Sequence, residues 1–438
     1  MTDQLCVLFM PESAYGPTNQ CIGLGRVLLE RGHRVVFAAE SSWAGRLAPY
    51  GFVEALVDLA PPPAADAPAD SAGQFWIDFI AETAPEFRKP TVEQLETFVA
   101  PTYQALIGGA KYCEPRLREI IATHRPDVVV EDNVVAFPAL VTADAAFVRI
   151  VSCNPLEIRG PGVAPVFSGY PAADRSGWAA FLAEFDRTHQ PMWADFDAWV
   201  QTQGAPPLPP RDFIHTSTVA NIYVYPAELD YLDARPLDAT WHRIDSSVRE
   251  TEDAYELPAV VADRPDDAAL VYLSLGSLGS ADVELMQRLI DVLATSRHRV
   301  IVSMGPRSDE LRLGPNMVGA ATLPQTTVIP QVDIVITHGG NNTTTECLHF
   351  GKPMIVLPLF WDQYDNAQRV DELGYGVRLD TYGFTDAQLL GAVDRLQADT
   401  ELRARLAEIG ESVRGRDGLR RGAEVIETAG REHVARRG

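Results

Sequence analysis

Short apolar runs rich in β-branched residues recur along the chain: LCVLF (5–9), RVVFAAE (34–40), PDVVVED (126–132) and FVRIVSC (147–153). They are separated by segments of helical period or by proline and glycine, the alternation that predicts βαβ units and a parallel, doubly wound sheet. The stretch CIGLGRVLLER (21–31) buries Ile22, Val27 and Leu28, stops at Gly32, and is predicted to be the first crossover helix. A second series begins after residue 265 with ALVYLSLGS (269–277), RVIVSMG (299–305), IVITHGG (334–340) and MIVLPL (354–359). Between the two series the chain is rich in proline, aspartate and glutamate and weak in periodicity, as an interdomain linker would be. The reading is therefore an α/β protein with two Rossmann-like domains whose parallel sheets face a central cleft: residues 1–235, a linker at 236–265, a second domain at 266–415, and a last helix at 416–438. Ligands in such sheets bind at the carboxyl ends of the strands, so the cleft is the expected site.

Helix-like stretches near 74–118 and 177–203 carry many aromatics, among them Trp76, Phe79, Tyr103, Phe181 and Trp199. Most are expected in the core, with a minority lining an apolar pocket.

A chain of 438 residues, 46% hydrophobic, can bury two cores of ordinary size. Its net charge of -23 argues against nucleic acid or an anionic membrane as partner, because both require a positive footprint. Five scattered cysteines without a C-x-x-C pair indicate neither a disulfide framework nor a zinc site, which fits a reducing cytoplasm. No N-terminal targeting pattern is expected to operate, and no apolar run is long enough to span a bilayer.

The strongest chemical signal is IVITHGGNNTTTECLHFGKPMIVLPLFWDQYDNAQRV (334–370). A strand runs into His338-Gly339-Gly340, and the polar run from Asn341 to Thr345 opens a helix. Glycines that admit a ligand to the backbone, followed by a helix start with outward N–H groups, form an anion site suited to phosphate. Asp362 and Gln363 follow the next strand at the same sheet edge, where a carboxylate beside a carboxamide can bracket vicinal hydroxyls. Gly276 and Ser277 end the first strand of this half and offer a second side to a pyrophosphate. The only D-x-D, Asp195-Phe-Asp197, falls in a helical stretch and reads as a solvated face, not a metal site.

The run His338-Gly-Gly-x-Asn-Thr-x-x-Glu346, continuing through Gly351-x-Pro353 to Asp362-Gln363-x-x-Asn366, closely resembles the donor signature of the UDP-glycosyltransferase family in its bacterial, macrolide-type form. Pro324-Gln325, Gly276-Ser277 and Arg31-Gly32-His33 fit the same pattern. The resemblance implies a GT-B fold with a nucleotide-sugar co-substrate and no other cofactor. It assigns Gly276, Ser277, His338, Gly340, Asn342 and Thr343 to the pyrophosphate, Glu346 to the ribose, Gln325 to the base, and Asp362 and Gln363 to the sugar. It further implies inverting transfer of a hexose, glucose from UDP-glucose, to an apolar small molecule met by Tyr15, Pro17, Trp76 and Phe79. Where many relatives stack a tryptophan on uracil, this chain has Thr322 and Leu323, which leaves UDP and TDP open.

The resemblance also exposes a departure. Relatives carry a basic histidine after the first strand, and here Pro17 stands in its place. Three explanations are open: another base, namely Asp132, Glu12 or a distant histidine such as His189; an acceptor already ionised; or a chain that binds a nucleotide sugar without transferring it. A dinucleotide oxidoreductase also fits two sheets but lacks the glycine fingerprint. Oligomeric state is not legible.

Overall fold

The computed structural model describes residues 4–61 and 82–437. The first sheet contains β1 (Cys6–Pro11), β2 (Arg34–Phe37), β3 (Val53–Glu54), β4 (Val128–Asp132), β5 (Ala146–Val151), β6 (Ala220–Val224) and β7 (Trp241–Ile244), in the order β3-β2-β1-β4-β5-β6-β7. The second contains β8 (Leu270–Ser274), β9 (Arg299–Ser303), β10 (Met317–Ala320), β11 (Ile334–Thr337), β12 (Met354–Val356) and β13 (Gly376–Arg378), in the order β10-β9-β8-β11-β12-β13. Every ladder is parallel. Helices cover both faces, so central strands such as β4 and β8 are buried at every residue, which explains their unbroken apolar runs. In each sheet the order of strand addition reverses once, between β1 and β4 and between β8 and β11, and the crevices at those two points line one cavity.

Three segments differ from the sequence expectation. The first helix, α1 (Tyr15–Glu30), begins six residues before Cys21. Gly16 and Pro17 suggest a turn, but the N–H groups of a helix's first turn have no intrahelical partner, so proline there removes no hydrogen bond. The linker placed at 236–265 contains β7, which pairs with β6 from Asn221↔Trp241 to Val224↔Ile244. As an edge strand with three partly exposed residues it lacks the apolar run that marks the inner strands. His189 is not near the cleft, as described below.

Helix α2 (Ala100–His124) and helix α3 (Trp178–Thr202) supply Tyr103, Phe181, Phe185 and Phe196 to the core. The last helix, called α6 below (Gly418–Arg437), packs on the first sheet. Its small residues set the distance: a Cβ on Gly422 would stand 2.6 Å from Leu24 Cδ2, and one on Gly430 2.5 Å from Val128 Cγ2. Glu427 of α6 is held by Arg31 at 2.7 Å and His33 at 2.6 Å. All five cysteines are reduced thiols. No helix among the described residues is long and apolar enough to cross a membrane.

Candidate active site

The two sheet crevices open into one interdomain cavity of about 670 Å³. From the second domain, β11 leads through His338-Gly339-Gly340 into α4 (Asn341–His349), whose first N–H groups open on the cavity. The His338 ring is gripped by glycines: a Cβ on Gly276 would lie 2.6 Å from its Cε1, and one on Gly340 2.6 Å from its Nε2. Gly276 also has φ +73°, a conformation that glycine adopts without strain. Burial pushes His338 down to about 4, so at neutral pH the ring is an uncharged N–H donor.

Farther along α4, Glu346 accepts a hydrogen bond from Gln325 Nε2 at 2.6 Å, and Gln325 also reaches Thr343 Oγ1 at 3.2 Å. Burial raises the Glu346 carboxyl to about 7 against the opposing pull of Arg249. Asp362 immediately precedes α5 (Gln363–Glu372) without capping it, and its Oδ2 accepts from the Asn154 N–H of the first domain at 2.7 Å. Gln363 Oε1 accepts from the Leu359 and Phe360 N–H groups, fixing the loop between β12 and α5. The structure thus gathers Gly276, Ser277, Gln325, His338, Gly340, Asn342, Thr343, Glu346, Asp362 and Gln363 around one cavity, together with Thr322 and Leu323.

The first domain contributes a carboxyl pair. Asp132 ends β4 and is 2% exposed, and the Glu12 N–H just after β1 bonds its backbone carbonyl at 2.8 Å. Burial, with the negative charge of Glu12 added, raises Asp132 to about 7, although the Ser152 hydroxyl and N–H donate to it and pull it back. Glu12 is raised too, by burial, against donation from Ala14 and Ser13. Both carboxyls line the cavity, as do Tyr15 and Pro17 on α1. Tyr15 packs on Trp43 and accepts a hydrogen bond from Arg46 at 2.8 Å.

Trp76 and Phe79 lie outside the described residues. His189 is buried inside α3, stacked on Phe185 at 4.1 Å and pushed down to about 4 by burial, and it does not line the cavity. Asp195 is exposed, and Asp197 accepts from the Leu208 N–H at 2.7 Å on α3.

Several lining residues escape sequence reasoning. Trp361 holds φ +58° and packs on Phe167 at 4.4 Å and Tyr103 at 5.2 Å, so its ring becomes part of the apolar wall with Phe98 and Leu106. Positive φ at tryptophan has no sequence signature. Arg249, Thr251 and Glu252 come from the supposed linker. Polar side chains of the second domain also reach across: Asn341 donates to Ser152 O and Val224 O, Asn342 to Gly16 O, and Asp365 accepts from the Phe167 and Gly169 N–H groups.

Burial raises several carboxyls at once: Asp362 to about 6, Asp132 and Glu346 to about 7, and Glu131, Glu157 and Asp365 to about 8. The native state therefore keeps protons that an unfolded chain releases above about pH 4, so stability present at low pH is lost as pH rises through 6 to 8. The unliganded protein is expected to melt at a higher temperature at pH 6 than at pH 8.5; calorimetry showing the reverse would contradict these burial effects.

Residues 287–417 match the family described as erythromycin biosynthesis protein CIII-like, C-terminal domain. The NDP-glycosyltransferase YjiC of Bacillus subtilis (strain 168) is 26% identical over 94% of both chains. Over nearly its whole length the chain is similar to glycosyltransferases of the macrolide type. The oleandomycin glycosyltransferase of Streptomyces antibioticus is 25% identical, aligned over 95% of this chain and 88% of its own. Among solved structures, the kitacinnamycin glycotransferase superimposes with a TM-score of 0.70 at 24% identity, covering 97% of this chain and 99% of that one. The calicheamicin glycosyltransferase CalG4 does so at 0.68 and 18% identity, covering 98% of both. These likenesses establish the GT-B fold of the chain.

Proposed function

We propose that the chain transfers a hexose, with inversion and without a metal, from UDP-glucose to a hydroxyl of an apolar small molecule. The observation that carries this reading is the juxtaposition, in one cavity, of the His338–α4 anion site with the Glu12–Asp132 carboxyl pair. The diphosphate lies against the first N–H groups of α4, Ser277 and His338, Glu346 takes the ribose hydroxyls, and Gln325 lies beside the base. Asp362 and Gln363 hold the sugar. The acceptor enters between Tyr15, Pro17 and the Phe98–Trp361 wall.

Asp132, at the end of β4, takes the base's role in a chain that has Pro17 where relatives carry the histidine. Its carboxylate takes the acceptor's hydroxyl proton as the oxygen bonds to the anomeric carbon. The bond from that carbon to the phosphate oxygen breaks, and the charge appearing on the departing diphosphate falls on preorganised N–H donors. A carboxyl raised to about 7 is well matched to such a proton transfer at neutral pH. Two neighbouring structures, VinC and SsfS6, are described as complexes with dTDP, which makes a TDP-sugar the natural comparison for the donor.

Incubation with UDP-glucose, dTDP-glucose and a panel of apolar hydroxyl-bearing acceptors tests the reading. Acceptor-dependent release of the nucleoside diphosphate with a new glucoside is expected, with UDP-glucose the better donor. Tight nucleotide binding without transfer or hydrolysis would overturn the enzyme reading in favour of a nucleotide-sugar-binding protein.

A further inference from the structure

Arg249 lies in the segment joining β7 to the second domain, and its Nη1 is 3.6 Å from Glu346 Oε1, with the two side chains 14% and 5% exposed. Its position is built. Arg249 pairs with Glu252, and the other oxygen of Glu252 accepts from the Thr326 N–H at 2.7 Å and Oγ1 at 2.9 Å. The guanidinium is thereby tied to the second domain, although the chain that carries it connects both.

Opposite it, Glu346 is anchored on one side only. Gln325 donates to Oε2 and itself accepts from the Tyr272 hydroxyl at 3.3 Å, while Oε1 faces Arg249 across a gap longer than a hydrogen bond. A carboxylate can accept about four hydrogen bonds, so this one retains capacity toward the cavity.

We propose that Arg249 is the positioning residue of the nucleotide site: its guanidinium, 3.6 Å from Glu346 Oε1, holds that carboxylate oriented for the ribose's vicinal hydroxyls. The inference rests on the nucleotide-sugar reading above. The other titratable groups facing Glu346 give it no positive charge. Glu252 adds a negative one, and Tyr272 on β8 and Cys347 on α4 are held neutral by burial. Burial holds Glu346 at about 7 even with Arg249 and the Gln325 hydrogen bond both pulling it down, and Arg249 is the positive charge among its neighbours. Without the guanidinium, Glu346 takes up a proton near neutral pH and becomes a weaker acceptor.

Calorimetric titration of the full chain with UDP at pH 7.5 and pH 9.5 tests this. Arg249→Gln is expected to weaken UDP about tenfold at pH 7.5, where the wild-type carboxyl is mostly ionised, and clearly less at pH 9.5, where Glu346 ionises without the guanidinium. Arg249→Lys is expected to recover most of the loss, and in a Glu346→Gln background the Arg249→Gln change is expected to cost little, because the two act as one unit. Wild-type affinity in Arg249→Gln, or a loss equal at both pH values and undiminished in the Glu346→Gln background, would overturn the proposal. Failure of the wild type to bind either UDP or dTDP would overturn the donor-site reading itself.

Discussion

Asp132→Asn is expected to reduce kcat by about 10² to 10⁴, the usual contribution of a positioned base, with the donor KM and UDP affinity nearly unchanged. The asparagine fits the same space and still meets the Ser152 hydroxyl and the Glu12 N–H that bonds the backbone at this position. What it loses is the carboxylate that can receive a proton. Because donor binding is assigned to the other domain, steady-state kinetics separates the two functions. A parallel rise in donor KM would mean that Asp132 binds sugar, and an unchanged kcat would remove it from the proton transfer.

His338→Ala is expected to act on the other end of the reaction. The ring is clamped between Gly276 and Gly340 and kept neutral by burial, so it can meet the diphosphate with an N–H that requires no reorganisation. Removing one such donor is expected to lower kcat by about 10² to 10³. A loss confined to KM, with kcat intact, would place His338 in ground-state binding only. The glycines leave room for the smaller side chain, so the variant tests the imidazole and not the packing.

The division between what the sequence shows and what it conceals follows the range of the interactions. Apolar runs such as VVV (128–130) and IVI (334–336) betray inner parallel strands because both faces of each strand are covered, and from them two sheets and their facing crevices can be read. The His338-to-Glu346 segment is local: strand, glycines and helix start are adjacent in sequence, so their shared edge follows directly. By contrast, Arg249 sits in a segment whose charge and low periodicity look like a spacer, and its role depends on Glu346, almost a hundred positions later. Asn341 and Asp365 reach backbone groups of the first domain, and Asn366 accepts from the Asn154 side chain there, contacts that no local pattern announces. The start of α1 is hidden for a different reason, since Gly16 and Pro17 serve equally well in a turn and in the first turn of a helix. His189 illustrates the converse: a histidine that is chemically plausible as a base becomes a stacked core residue once α3 is folded against Phe213 and Tyr103.

In the proposed mechanism the carboxyl pair is what keeps a base near neutrality in a chain with Pro17 in the histidine's place. A lone aspartate in water ionises near pH 4 and is a weak base. Burial at the end of β4 supplies most of the rise, and the charge of Glu12 from the end of β1 adds to it. The pH dependence of kcat in wild type and in Glu12→Gln, measured with saturating donor and acceptor, tests this arrangement most directly. An ascending limb with a midpoint near pH 7 is predicted for the wild type, displaced to lower pH in Glu12→Gln because a neighbouring negative charge has been removed. A midpoint that stays in place, or a rate that does not rise with pH, would contradict a carboxylate base at Asp132.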